Sequence, residues 1–284
     1  TLKPLNQIEK TAAAIADGDL SARLPQVNSK TEVGRLTGSL NTMLSRIEES
    51  FAVRTESESK LRRFVADASH ELRTPLTAIR GFAELHRQGA VVGEEKTKEL
   101  ISRIEKESIR MGALVEDLLL LARLDQSREL TSDPVDINHL VTEAVASAKA
   151  AGPGHEITVL SQSDEVFVLG DSMRIHQAIA NLLANARTHT PVGTKIAVKI
   201  SQNDLETRIS ISDNGPGLSE ADQKRVFERF FRADPSRVRV SGEGSGLGLA
   251  IVDAVMKAHG GSVEVESKLG EGASFTIIFP QKEL

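Results

Sequence analysis

The spacing of apolar residues divides the chain into two halves of different character. From residue 5 to residue 124 apolar positions recur at intervals of three and four, the period of an amphipathic helix. The pattern predicts helices over 5–15, 33–88 and 94–124, with breakers at Asp17-Gly18-Asp19 and at Gly89 and Gly93. The helices of one chain cannot bury all of these apolar stripes against each other, so we expect two copies to pair in helical bundles.

The second half begins at Asp133-Pro134, where β-rich runs start to alternate with helical ones. Strands are predicted at 157–160, 166–169, 195–201, 207–212, 263–266 and 274–279, and helices at 137–150, 172–187 and 248–260. The economical arrangement is a sheet covered by helices on one face. The predicted fold class is therefore multidomain: all-α dimeric helical bundles followed by an α+β sandwich.

Composition narrows the function classes. The 284 residues carry a net charge of -5, with aromatic residues at 3% and no cysteine. Disulfides and thiolate metal sites are excluded, and no nucleic-acid binding is expected without a basic surface or stacking aromatics. No apolar run approaches the roughly 20 residues that span a bilayer. Because the chain starts at Thr1, we expect it to be a fragment.

His70 is the first candidate for chemistry. It lies two positions from both Ala68 and Leu72, which places it roughly opposite the apolar stripe and facing solvent. A neutral imidazole nitrogen is a nucleophile near neutral pH. The Glu71 carboxylate is suited to hold the proton on the other nitrogen, and the Thr74 hydroxyl, one turn along, to position a water for the reverse hydrolysis. Most lone surface histidines have no function, so the case for a role of His70 depends on the surrounding sequence.

Three segments of the second half suit a nucleotide. Asn181 and Asn185 share one helix face, and amide oxygens suit Mg²⁺, which takes few protein oxygens. Asp213 ends a predicted strand and is suited to accept an adenine amino proton, while the glycines of 213–217 let backbone approach a base. The glycine-rich segment 244–248 opens a predicted helix, where backbone amides bind phosphates. Each pattern is weak alone: the 213–217 segment is an ordinary turn, and Gly-x-Gly patterns recur widely.

Together these segments resemble bacterial sensor histidine kinases over essentially the whole chain. The matching strings are the phosphoacceptor motif Ser-His-Glu-Leu-Arg-Thr-Pro-Leu at 69–76, the Asn box at 181–191, the glycine boxes at 213–217 and 244–249, and the Phe box at 227–232. The first fifty residues resemble, more loosely, the HAMP signal-relay linker. The implied domains are HAMP at 1–50, a dimerisation and histidine phosphotransfer hairpin at 51–130, and a catalytic ATP-binding domain of the histidine kinase/GHKL type at 134–284.

The resemblance implies a role for each matching residue. His70 would be phosphorylated, Glu71 would assist, and Thr74 would serve a phosphatase reaction. Asn185 would ligate Mg²⁺ and Arg232 would contact the γ-phosphate, because transferred phosphoryl charge needs a cation. The implied ATP-binding residues are Asn181, Asn185, Arg187, His189, Asp213, Gly215, Gly217, Arg232, Gly244, Gly246, Leu247 and Gly248. Arg187 enters because Thr188 stands where the family often has Lys. Phe227 and Phe230 are interpreted as packing residues.

The implied function is Mg-ATP-dependent autophosphorylation and transfer of the phosphoryl group to an aspartate of a response regulator receiver domain. The resemblance also implies a homodimer, and a cytoplasmic portion of an inner-membrane protein joined through an upstream segment. Three alternatives stay open: a phosphatase-dominant sensor, a non-kinase ATPase of the same superfamily, and a non-catalytic scaffold. The ATPases use a general-base carboxylate in the Asn-box helix, where this chain has Asn181. Phosphorylation within one chain and between two chains also both stay open.

Overall fold

The computed structural model describes residues 3–25, 31–124, 131–152, 154–233 and 245–281. The chain forms two compact units, Thr1–Asp67 and Ala68–Leu284, whose boundary falls within one helix. The predicted domain limits at residues 50 and 134 differ from the boundary between these two units, and they stay predictions. Within the described ranges, no helix is long and apolar enough to cross a membrane.

The first unit contains two helices, as predicted, joined by a connector of which residues 17–25 are described. Helix α1 spans Lys3–Ala16 and ends before Gly18, which adopts a left-handed φ of 103°. Helix α2 begins at Glu32. The connector is tied to α2 because the Asn41 side chain accepts from the backbone N–H of Leu24 and donates to its carbonyl, both at 2.9 Å.

The candidate phosphoacceptor His70 lies on α2, the first of two long helices. Helix α2 spans Glu32–Arg87 and continues through Pro75, and α3 spans Glu94–Leu124. Gly89 and Gly93 in the intervening turn have φ of 70° and 104°, a region that glycine adopts without steric cost. The predicted helix limits are confirmed here to within a few residues.

The remainder is an α+β sandwich, which confirms this part of the predicted fold. Its elements are β1 (Asp133–Asp136), α4 (Ile137–Ala151), β2 (Glu156–Ser161), β3 (Phe167–Gly170), α5 (Ser172–Thr188), β4 (Lys195–Gln202), β5 (Glu206–Asp213), α6 (Glu220–Gln223), α7 (Gly248–Ala258), β6 (Ser262–Lys268) and β7 (Gly272–Pro280). A five-stranded mixed sheet has the order β2-β4-β5-β7-β6, and only its β2–β4 pair is parallel. Strands β1 and β3 form a separate antiparallel pair.

Alternation and capping account for the main elements. Strands β4 and β5 bury every second residue, which turns one face of the sheet toward the helices. Asp136 and Asp171 cap the starts of α4 and α5, because each carboxylate accepts the backbone N–H three residues on, at 3.1 Å. The core between sheet and helices is aliphatic and extends to α3, since Leu114, Leu120 and Leu121 belong to the same buried cluster.

Candidate active site

The structure places His70 where a reactant has access to it. His70 and Thr74 are exposed on α2, and Glu71 is partly exposed. The Thr74 hydroxyl donates to the His70 carbonyl oxygen at 3.3 Å, which fixes it one turn along the helix. Exposure of His70 confirms the orientation inferred from spacing. In the described contacts, no hydrogen bond joins the His70 and Glu71 side chains.

The first half of the Asn box is joined to the start of α7. The Asn181 side-chain amide donates to the Gly248 carbonyl at 3.3 Å, so α5 and the glycine-rich segment meet although 67 residues separate them. Asn185 lies one turn further along α5 and is partly buried. Among the described residues no group of three His, Cys, Asp or Glu side chains is placed to hold a metal ion. The Asn185 amide oxygen fits a Mg²⁺ ion whose other ligands are phosphates and water.

Asp213 ends β5, as predicted, and its carboxylate is held by backbone amides. Its Oδ1 accepts the Gly215 N–H at 2.9 Å. Partial burial raises the pKa of this carboxyl group, against the opposing effect of hydrogen bonds from the Gly215 and Ala273 backbone. A carboxylate with this degree of burial is suited to a specific contact with a base.

Protein neighbours alone explain the two glycines after Asp213. A Cβ at Gly215 would stand 2.6 Å from the Thr190 methyl carbon, and one at Gly217 would stand 2.1 Å from the Lys268 carbonyl oxygen. Thr190 is itself fixed, because its hydroxyl donates to the Ala186 carbonyl at 2.7 Å and contacts His155 Nε2 at 3.1 Å. The proximity of Thr190 to the turn at Gly215 is not predictable from the sequence, in which Thr190 is only one residue of the Asn box.

The segment Ser245–Gly248 is held from three sides. The Phe230 N–H donates to the Gly246 carbonyl at 2.8 Å, and Asn181 binds the Gly248 carbonyl. The Ser245 hydroxyl accepts the Leu247 N–H at 3.3 Å and donates to Asp117 on α3 at 3.4 Å. Among the described residues, no side chain caps the start of α7, so the backbone N–H groups of its first turn can bind an anion. Gly244 lies outside the described residues, so its predicted role stays a prediction.

The backbone at this point is in an uncommon conformation. Phe230 has a φ of 61°, and it is the one non-glycine residue with positive φ in the described ranges. Gly246 opposite it has a φ of 70°, and a Cβ there would stand 2.9 Å from the Phe230 Cα. Phe227 and Phe230 also pack against the core, which confirms their interpretation as packing residues.

Arg232 and Arg187, the two arginines predicted to contact ATP, lie in different surroundings. The positive charge of Arg232 lies close enough to His189 to lower the histidine pKa, although burial by surrounding protein is the larger cause of that shift. His189 nevertheless keeps an exposed surface. The Arg187 guanidinium instead lies beside Gly152, at the end of α4, and its Nε is buried without a hydrogen-bond partner among the described residues. The predicted phosphate contact of Arg187 stays a prediction that this placement does not support.

Family models match three consecutive regions of the chain. They are the HAMP domain over residues 1–49, the His Kinase A (phospho-acceptor) domain over 60–127, and the histidine kinase-, DNA gyrase B- and HSP90-like ATPase over 170–283. A probable sensor histidine kinase of Mycobacterium tuberculosis, TcrY, is 45% identical over 280 residues, which are 95% of this chain and 58% of TcrY. The chain belongs to the sensor histidine kinase family.

Two solved structures are similar to the chain. Full-length ShkA in complex with AMPPNP is 31% identical with a TM-score of 0.55, covering 77% of this chain and 45% of ShkA. Histidine kinase ThkA in complex with the response regulator protein TrrA is 25% identical with a TM-score of 0.65, covering 83% of this chain and 66% of ThkA. The chain spans somewhat more than half the length of its relative TcrY.

Proposed function

We propose that this sensor histidine kinase chain uses Mg-ATP to phosphorylate His70 and passes the phosphoryl group to an aspartate of a response regulator. The observation that carries the proposal is the convergence of three distant motifs on the open start of α7. Asn181 and Phe230 hold the two carbonyls that flank Leu247, and no described side chain caps the first-turn amides of the helix, which supports a role for these amides in binding phosphates.

The nucleotide would lie between α5, the end of β5 and the start of α7. Asp213 would accept the adenine amino proton, and the α7 amides would bind the phosphate oxygens. Mg²⁺ on the Asn185 oxygen would neutralise charge on the phosphates. Arg232 and His189, which lie close together, would approach the nucleotide from the opposite side. The ATP-binding role rests on the superfamily match, and these residue assignments are ours.

Phosphoryl transfer needs one bond made and one broken. The lone pair of a His70 ring nitrogen would attack the γ-phosphorus, and the bond from that phosphorus to the bridging oxygen would break to release ADP. The proton on the other ring nitrogen would stay in place, held by the Glu71 carboxylate. Positioning and charge neutralisation supply most of the catalysis in such reactions. The exposed position of His70 is the condition for this approach.

Both proposed protein partners have support in the chain and its relatives. Large apolar side chains are exposed along the two long helices, at Leu76, Leu85, Ile101, Ile109, Val115 and Leu119 among others. Pairing with a second copy in a four-helix bundle would bury such side chains. The response regulator bound to ThkA supports a receiver domain as the acceptor of the phosphoryl group. Attachment to a membrane through an upstream segment stays a prediction.

The remaining alternatives have less support. Asn181 occupies the position where superfamily ATPases need a carboxylate, and its amide is engaged with the Gly248 carbonyl. A general base is therefore missing at that point of α5. Thr74 beside His70 supports an additional phosphatase activity toward the phosphorylated partner, with Thr74 positioning the attacking water.

Labelling with γ-labelled ATP tests the proposal. The purified chain with Mg²⁺ should acquire a label that is acid-labile and alkali-stable, as phosphohistidine is. His70→Gln and Asn185→Ala should abolish the label, whereas His86→Gln, at an exposed histidine of the same helix, should retain it. Label that survives in His70→Gln would identify a different acceptor. A parent chain that binds ATP without acquiring label would replace the kinase proposal with a phosphatase-dominant or scaffold function.

A further inference from the structure

Asp117 on α3 reaches the segment proposed to bind phosphates. Its Oδ2 accepts the Ser245 hydroxyl at 3.4 Å across 128 residues of sequence. The Ser245 oxygen in turn accepts the Leu247 N–H at 3.3 Å. The carboxylate is thus separated by one hydroxyl group from the amides at the start of α7.

Packing of the surrounding helix forces this approach. Leu114 and Leu121, three residues before and four after Asp117, are buried in the core that also contains Ile251 and Val255 of α7. Residues at these spacings share one helix face. Docking of α3 on α7 through this apolar face therefore carries Asp117 to the glycine-rich segment.

The carboxylate arrives there without a compensating cation. Across the part of the chain that the structure describes, no Lys, Arg or His side chain contributes to the electrostatics of Asp117. Burial raises its pKa most, the Ser245 hydrogen bond lowers it, and the neighbouring Glu116 charge raises it further. An unpaired carboxylate in a partly desolvated position repels a second anion more strongly than it would in water.

We propose that Asp117 makes docking of α3 on α7 and binding of nucleotide phosphates compete. With α3 docked, the negative charge of Asp117 opposes the phosphates at the amides that would bind them. Because coupling between two equilibria is reciprocal, bound phosphates weaken docking by the factor by which docking weakens their binding. ATP would then loosen the catalytic domain from α3, which frees that domain to approach His70. The inference rests on the proposed nucleotide site.

Substitution of the charge alone tests this competition. Asp117→Asn keeps the shape and a hydrogen-bond acceptor for Ser245 while it removes the charge, and removal of a buried charge favours folding. In the full chain we expect the Kd of Mg²⁺ with a non-hydrolysable ATP analogue to fall about ten-fold. The Kd of adenosine, which has no phosphate, should stay unchanged. A merely structural role for Asp117 would not separate these two ligands.

Matched variants separate the possible failures. Glu116→Gln removes the same charge one residue away on the exposed side of α3 and should change ATP affinity less than about two-fold. An unchanged ATP affinity in Asp117→Asn, or an equal gain for ATP and adenosine, overturns the inference. Asn185→Ala in the same titration tests the site itself. If it weakens ATP binding while Asp117→Asn has no effect, only the competition is wrong. If it leaves ATP affinity unchanged, the proposed site and the competition both fall.

Discussion

At the scale of single residues, Asp213 combines a proposed binding role with a cost to stability. Its folded-state pKa is raised, because partial burial outweighs the hydrogen bonds from the Gly215 and Ala273 backbone. The unfolded chain therefore releases this proton at lower pH than the folded chain does. The free energy of unfolding falls as pH rises from the ordinary pKa of an aspartate in the unfolded chain through the raised folded value, and the loss persists at neutral pH.

Asp213→Asn should exchange binding for stability. The amide has no charge to desolvate. The free energy of unfolding of the variant, relative to that of the parent, should therefore be larger at about pH 7 than at about pH 3. Its ATP affinity should fall about ten-fold, because the charge-assisted hydrogen bond to the adenine amino group is lost. Urea unfolding at both pH values and calorimetric titration measure the two effects. Asp204→Asn, at an exposed position of the same domain, is the control. A stability difference from the parent that does not change with pH would exclude burial of Asp213 as the cause.

Residue type, spacing and the family resemblance made His70, Asn181 and Asp213 candidates, because the motifs that contain them are local in sequence. Asp117 gave no such signal: on α3 it is one acidic residue among many, and its contact with Ser245 depends on how distant elements pack. His259 is similar. It follows α7 as an ordinary helix-terminal histidine, yet it is 5% exposed, and its Nε2 accepts the N–H of Asp171, 88 residues earlier. Such partners are fixed by tertiary structure, which spacing does not encode.

At the scale of elements, periodicity predicted the long helices and the five strands of the main sheet. Two short elements were missed. Strand β1 has four residues, contains Pro134 and buries only Val135, so no alternation marks it. It exists because β3 pairs with it. Helix α6 also has four residues and buries none, and its local signs are confined to the Ser219 cap and the acidic residues Glu220 and Asp222 of its first turn. Elements this short depend on neighbours rather than on their own pattern.

The contact between Phe230 and Gly246 should be sensitive to a single methyl group. Gly246→Ala places a side chain in the left-handed region and sets its Cβ 2.9 Å from the Phe230 Cα. Gly193→Ala imposes a comparable φ, 92°, with no neighbouring atom within 4 Å. We expect the Gly193 variant to lose about 1–2 kcal/mol of stability and to keep ATP binding. The Gly246 variant should lose more stability and bind ATP at least ten-fold more weakly, because the proposed phosphate amides shift.

Calorimetric ATP titration and urea unfolding of both variants measure these effects. Equal losses in the two variants would mean that the φ penalty alone acts, and that the approach of Phe230 to the glycine-rich segment has no functional weight.

At the scale of the molecule, α3 links the helix that carries His70 to the sheet and helices that follow it in the chain. It follows the helix that carries His70, and its last turns share a buried core with the catalytic part of the chain. The compact unit Ala68–Leu284 reflects this sharing, whereas sequence motifs suggested a division at residue 134. Sequence motifs indicate the chemistry of a segment, whereas burial depends on what the segment packs against. The motif-based limit at residue 134 and the limits of the compact unit therefore need not coincide.

Removal of one buried side chain from α3 should report on the docked arrangement. Leu121 is 0% exposed and Leu119 on the same helix is 52% exposed. Leu121→Ala should lower the free energy of unfolding by about 2–4 kcal/mol through loss of apolar burial and a residual cavity. Because α3 packs on α7, hydrogen exchange at α7 amides should also accelerate. Leu119→Ala should leave α7 exchange unchanged, even if it weakens pairing with a second chain. Unchanged α7 exchange in Leu121→Ala would mean that α3 is released from α7 in solution most of the time. Docking of α3 could then weaken ATP binding only slightly.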